Sequence, residues 1–148
     1  MASRARIGLV IGSGGIKCAM AIGLLKVLAR EGIPVDVAVG CSGGSIYAGL
    51  FALGDDIDVM EEQSQHLWRD LFTKLHYRSI IRTVAPALFG YHEQVGIIDD
   101  RRVWKTLEAA FGARTFADCR FPFYVAATDY RTGEKVTLHE GRLLDAVR

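Results

Sequence analysis

The chain has 148 residues, of which 50% are hydrophobic and 24% are charged. This composition is typical of one folded domain and excludes a chain that is disordered throughout. The formal net charge of +1 gives no basic field that would favour nucleic acid. No apolar run is long enough to span a membrane. The three cysteines fit neither a disulfide framework nor a zinc site. We therefore expect a cytoplasmic protein that needs no metal or organic cofactor and binds no nucleic acid.

The first third of the chain predicts alternating strands and helices. Residues 6–11 form a continuous apolar run that predicts a buried strand, and helical spacing follows over 17–30. Residues 35–39 predict a second strand and 45–53 a second helix. This order implies two parallel strands joined by a right-handed crossover. The glycine-rich turns after both strands then lie at the carboxyl edge of the sheet, where open α/β sheets hold their ligands.

The rest of the chain adds further elements of both kinds. The spacing predicts helices over 56–75 and 99–111, a strand over 121–128 and a partner strand over 135–139. The closing segment 141–148 (GRLLDAVR) looks like the start of a helix without a stop signal. We expect a single domain over 1–148 that belongs to a longer protein and lacks its C-terminal portion.

The sharpest chemical signal is the run Gly40-Cys41-Ser42-Gly43-Gly44, a G-x-S-x-G motif between a predicted strand and a predicted helix. A serine on such a sharp turn has a strained backbone and an exposed hydroxyl, and only small neighbours permit the turn. The helix that follows directs backbone N–H groups and a positive dipole end at the same place. The motif predicts a nucleophilic serine, and its alternative is a structural turn before a helix.

A second signal is the run Gly12-Ser13-Gly14-Gly15-Ile16-Lys17. It is not a dinucleotide fingerprint, because Lys17 stands where the third glycine is needed, and no Gly-Lys-Ser/Thr follows as in a P-loop. What remains is a flexible row of backbone donors that opens a helix, which can form an oxyanion hole. The predicted crossover places this loop beside Ser42, and the alternative is a plain tight turn.

Together these two loops resemble the patatin-like phospholipase family, whose first loop reads Gly-Gly-Gly-x-Arg/Lys-Gly and whose nucleophile turn reads G-x-S-x-G. Ser42 lies 28 positions after Gly14, as the family's spacing requires. The likeness continues through Gly23-Leu24-Leu25, Thr128-Asp129 and the closing GRLLDAVR, so it covers nearly the whole chain. It implies an α/β fold with three layers (α/β/α) and a mainly parallel central sheet. It also implies a serine–aspartate dyad hydrolase that acts on lipid acyl esters.

The resemblance assigns roles by position. Ser42 would be the nucleophile, the amides of Gly14, Gly15, Ile16 and Lys17 would bind the oxyanion, and Lys17 matches the family's basic residue. The family's aspartate comes in an Asp-Gly-Gly or Asp-Gly-Ala segment, and this chain has no Asp-Gly dipeptide. The base is therefore expected beyond residue 148. Cys18 stands where the family usually has glycine, and its side chain narrows the loop.

Four further hypotheses about function stay open. A Ser–Asp–His triad would use His139 with Asp129. A lipid-binding or regulatory pseudoenzyme would lack the base, and its incomplete sheet edge would favour self-association or a partner chain. Basic and aromatic residues over 68–82 suit peripheral contact with an anionic membrane, and the alternative is an ordinary amphipathic helix. The apolar stretch 80–89 suits a lid over an acyl groove, and the alternative is a connection packed in the core.

Overall fold

A four-stranded sheet organises the residues that the computed structural model describes, which are 4–73 and 100–148. Its strands are β1 (Gly8–Ile11), β2 (Val37–Cys41), β3 (Phe123–Thr128) and β4 (Lys135–Leu138), in that order across the sheet. The β1–β2 and β2–β3 pairs are parallel, and β3–β4 is an antiparallel hairpin. The predicted α/β class and the mainly parallel sheet are confirmed.

The described helices follow the sequence pattern closely. They are a 3-10 helix (Gly15–Ala19), α1 (Met20–Arg30), α2 (Gly43–Leu53), α3 (Ile57–Thr73), α4 (Asp100–Phe111), a second 3-10 helix (Phe116–Asp118) and α5 (Leu143–Val147). The first predicted helix therefore begins as a 3-10 helix and becomes α-helical only at Met20. The second 3-10 helix was not predicted, since three residues are too short to show periodicity.

The core lies between one face of the sheet and the helices. Leu9 and Ile11 of β1 and Phe123 and Val125 of β3 point into it, together with buried residues of all five α-helices. The opposite face of the sheet is partly open, and Val10 is 72% exposed. The described helices thus form one layer, and the second outer layer of the three-layer arrangement stays a prediction.

Helix α2 is the central helix of this layer. Seven of its eleven residues are buried, including Tyr47, which is 1% exposed. The Tyr47 hydroxyl forms a 2.6 Å hydrogen bond with Ser64 Oγ and accepts a 2.8 Å hydrogen bond from Trp68 Nε1. These hydrogen bonds join α2 to α3. Together with the buried residues along α2, they hold the helix in place.

Residues 74–99 lie outside the described part of the chain, and with them lie the predicted segment 80–89 and most of the basic, aromatic segment 68–82. Within 4–73 and 100–148, none of the helices combines the length and the hydropathy of a bilayer-spanning segment.

Candidate active site

Ser42 lies at the junction between β2 and α2 in a conformation that L-residues rarely adopt. Its φ is 51° and its ψ is −131°, and it is the one non-glycine residue with a positive φ in the described ranges. Such a conformation costs on the order of 1–3 kcal/mol and persists only where the surrounding structure enforces it. Although Ser42 precedes the first residue of α2, its hydroxyl makes no capping hydrogen bond to the helix. The residue is exposed, so its hydroxyl is open to a ligand.

Two glycines of the motif are required by close backbone approaches. A Cβ on Gly40 would lie 2.3 Å from the Cα of Ser45. A Cβ on Gly44 would lie 2.3 Å from the carbonyl oxygen of Ile11 and 2.4 Å from that of Gly12. The glycine spacing therefore allows β2 to turn sharply into α2 and allows α2 to begin against the end of β1.

The loop after β1 lies directly beside this turn. A Cβ on Gly43 would lie 3.1 Å from the carbonyl oxygen of Gly15 and 3.3 Å from Cys18 Sγ. Gly14, Gly15, Ile16 and Lys17 are all exposed, as is Ser42. The structure thus brings together the two runs that the sequence singled out, at the carboxyl edge of the parallel sheet. Cys41, the remaining motif residue, is half-buried as the last residue of β2.

Two buried side chains contribute to the shape of this site, and sequence reasoning missed one of them, Ser45. Ser45 is buried, and both its backbone N–H and its hydroxyl donate to the carbonyl oxygen of Ser42. Cys18 is buried beneath the loop, and burial raises the pKa of its thiol, so the thiol is protonated at neutral pH. The Ser45 bonds carry no sequence signal, whereas the departure from glycine at Cys18 predicts a narrower loop.

The groups considered for proton transfer are placed as follows. Asp129 directly follows β3 and accepts hydrogen bonds from the backbone N–H groups of Arg131 (2.8 Å) and Thr132 (3.2 Å), so it shapes the hairpin turn. His139 follows β4 at the opposite end of the hairpin, with its ring centroid 5.9 Å from that of Tyr124. The register therefore separates Asp129 from His139. Among the side chains that the structure describes, which exclude those of residues 70–100 and 102, no carboxylate or imidazole is hydrogen-bonded to the Ser42 hydroxyl.

An apolar groove borders the first 3-10 helix, and an apolar cavity borders α2. An open groove runs between the first 3-10 helix and α3, and its lining residues are Ile16, Ala19, Ser64, Gln65, Trp68 and Arg69. A cavity of about 210 Å³ lies between α2, α3 and α4, lined mainly by aliphatic side chains such as Ile46, Leu50, Met60 and Leu107. Ile16 is 48% exposed and directly follows Gly15, so the groove begins at the loop itself.

In the part of the chain that the structure describes, no group of three or more His, Cys, Asp or Glu side chains is arranged to hold a metal ion.

A comparison with known families decides the assignment of the chain. The family model described as patatin-like phospholipase matches residues 9–148. The chain belongs to the patatin-like phospholipase family. Its fold is also similar to the crystal structure of the type III effector protein ExoU, with a TM-score of 0.55 at 15% sequence identity over 96% of this chain and 38% of that one. At that identity the likeness concerns the fold alone.

Sequence similarity to two curated proteins supports the same assignment. The chain is 31% identical over 144 residues to the patatin-like phospholipase domain-containing protein ZK370.4 of Caenorhabditis elegans, covering 93% of this chain and 10% of that protein. It is 28% identical over 123 residues to the neuropathy target esterase sws of Drosophila grimshawi, covering 83% of this chain and 8% of that protein. The chain thus spans about a tenth of the length of these patatin-like relatives.

Proposed function

We propose that this chain carries the nucleophile and the oxyanion hole of a serine hydrolase that cleaves acyl esters of lipids. The family supports lipid ester hydrolysis in general. The observation that supports Ser42 as the nucleophile is its strained, exposed position beside the Gly14–Gly15 loop. Strained residues of this kind cluster at active sites, and nucleophile turns of hydrolases share this strand–turn–helix context.

In the proposed reaction, Ser42 Oγ attacks the carbonyl carbon of the ester and its proton passes to a general base. The negative charge moves to the carbonyl oxygen, where backbone N–H groups of Gly14, Gly15, Ile16 and Gly43 stabilise it. The N–H of Lys17, the remaining predicted donor, already donates to the carbonyl oxygen of Gly14 (3.1 Å). Collapse of the tetrahedral intermediate expels the alcohol, which takes up the proton from the base. Water then attacks the acyl-serine, again with the base as proton acceptor, and releases the fatty acid and Ser42.

The base in this proposal is the family's aspartate, expected beyond residue 148. The substrate class is supported by the names of the relatives, one a phospholipase domain protein and one an esterase. It is also supported by the apolar groove that begins at Ile16, because an acyl chain attached to a carbonyl at Ser42 needs apolar surface next to the loop. Peripheral contact with a membrane through the segment 68–82 is part of this proposal.

The test uses the protein expressed from its complete natural reading frame and a short-chain nitrophenyl ester. We expect hydrolysis that saturates with substrate and falls to the buffer rate in Ser42→Ala. Thr137→Ala is the matched control, because it removes a hydroxyl from an exposed position of β4 and should keep the wild-type rate. Equal hydrolysis by the wild type and Ser42→Ala would contradict the proposal.

A second candidate function is lipid binding without hydrolysis. It is favoured by one observation, that no carboxylate or imidazole among the described side chains is hydrogen-bonded to Ser42. This candidate predicts that fatty acids bind to the wild type and to Ser42→Ala with the same affinity while neither protein hydrolyses the ester. It also allows self-association or a partner chain that completes the site, which sedimentation with and without fatty acid would detect.

A further inference from the structure

A buried thiol lies beneath the proposed oxyanion hole. Cys18 is 6% exposed, and its Sγ donates a hydrogen bond to the carbonyl oxygen of Gly12 at 3.3 Å. This bond spans from the first 3-10 helix back to the residue that follows β1, so it closes the loop that contains Gly14 and Gly15. A thiol is a weak donor, but the loop here holds few other side chains that could fix its shape.

The same sulfur atom lies close to both backbone segments that carry the proposed donors. Sγ lies 3.5 Å from a Cβ built on Gly14 and 3.3 Å from a Cβ built on Gly43. Gly14 belongs to the loop after β1, and Gly43 follows the nucleophile on α2. One side chain therefore lies next to both segments.

The Cys18 thiol is protonated at neutral pH, as a hydrogen-bond donor to Gly12 must be. Burial raises the pKa of the Cys18 thiol, and this effect outweighs the opposite effect of a backbone hydrogen bond. At neutral pH the thiol keeps its proton and therefore stays a donor to Gly12. A thiolate at this position would place negative charge beside the developing oxyanion, which would oppose the reaction.

We propose that Cys18 is a positioning residue of the oxyanion hole, which holds the Gly12–Gly15 loop at a fixed distance from Gly43. This inference rests on the proposed function. The donors must lie at hydrogen-bond distance from the oxyanion of the transition state, not from the carbonyl oxygen of the bound substrate. A small shift of the loop therefore weakens binding of the transition state more than binding of the substrate. Removing the thiol should therefore lower kcat and leave KM nearly unchanged.

The kinetic test compares Cys18→Ala and Cys18→Ser with Cys119→Ala, which removes a half-buried thiol from the segment before β3. We expect kcat for the nitrophenyl ester to fall about tenfold in Cys18→Ala, less than the loss from deleting a donor outright. KM should change by less than about twofold. Cys18→Ser should restore part of kcat, because its hydroxyl keeps the donor on a shorter side chain. Cys119→Ala should match the wild type.

Wild-type kcat in Cys18→Ala, or a loss that appears only in KM, would overturn the inference while leaving Ser42 as the nucleophile. A lack of any Ser42-dependent hydrolysis would contradict the proposed function instead. In that event, the amide spectra of ¹⁵N-glycine-labelled protein decide the inference about Cys18 alone. Cys18→Ala should shift the signals of Gly12, Gly14 and Gly43 and leave that of Gly133 in place, and unchanged signals for the first three would overturn it.

Discussion

The approach of α2 to the end of β1 can be tested by adding a single methyl group. In Gly44→Ala the new Cβ would lie 2.3 Å from the carbonyl oxygen of Ile11 and 2.4 Å from that of Gly12, although real Cβ atoms essentially never come within 3.0 Å of another heavy atom. Both obstacles are backbone atoms of the loop after β1, so no side-chain rotation can relieve the contact. The strand end and the first turn of α2 must separate.

Overpacking of this kind costs about 3 kcal/mol, at the upper end of the usual range because the obstacles are backbone atoms. Alanine is preferred over glycine in a helix by only about 1 kcal/mol, so the clash outweighs the gain. The melting temperature should fall by roughly 4–8 °C for a net loss of about 2 kcal/mol in a chain of this size. Thermal unfolding followed by circular dichroism measures this shift.

Gly23→Ala is the matched control. Gly23 lies within α1, is exposed, and has open space around the position of a Cβ. The same substitution should therefore raise the free energy of unfolding by about 0.5–1 kcal/mol. If Gly44→Ala were as stable as Gly23→Ala, the close approach of α2 to β1, and with it the reasoning about the site, would be refuted.

Three further predictions concern the contacts that hold the site in place. The Arg4 guanidinium and the backbone N–H of Ile7 lower the pKa of Asp36 from 3.8 to about 2, so its carboxylate stabilises the fold above pH 3.8 and this contribution is lost as the pH falls towards about 2. Urea unfolding at a series of pH values between 3.8 and about 2 should show that the free energy of unfolding falls less in Asp36→Asn than in the wild type. Arg114→Lys should cost about 1 kcal/mol in the same assay, because lysine cannot replace both hydrogen bonds to the Asp55 carboxylate (2.6 and 3.0 Å). Tyr47→Phe should cost about 1–3 kcal/mol, because the buried hydroxyl that joins α2 to α3 is lost, and an unchanged denaturation midpoint would contradict that account.

The features that sequence reasoning predicted correctly depend on neighbours in the chain. The turn at Ser42 could be predicted because Gly40 satisfies a local steric demand, since a Cβ there would meet Ser45. The order of β1, α1 and β2 followed from apolar periodicity, and the parallel pairing of the two strands followed from that order, strand, helix and strand. Strand and helix boundaries differ from prediction by a few residues, since hydrogen bonding rather than apolar pattern decides them.

What could not be predicted depends on contacts between distant segments or on hydrogen bonds without a pattern. The Cys18 thiol reaches Gly43 only because the crossover returns α2 to the end of β1. The hydroxyl of Ser45 bonds the carbonyl of Ser42 within one turn of α2, and many serines at such positions form no such bond. The alternative with His139 was plausible by chain order alone, and only the register of the hairpin shows that His139 and Asp129 end up apart.

The central claim is that Ser42 is an activated nucleophile, and covalent trapping tests it most directly. The protein expressed from its complete reading frame is treated with a fluorophosphonate, digested and analysed by mass spectrometry, with heat-unfolded protein as the comparison. The account predicts one adduct, on Ser42, that forms in the folded protein and is absent after unfolding and in Ser42→Ala. An adduct on another residue of the folded protein, or none on Ser42, would contradict it.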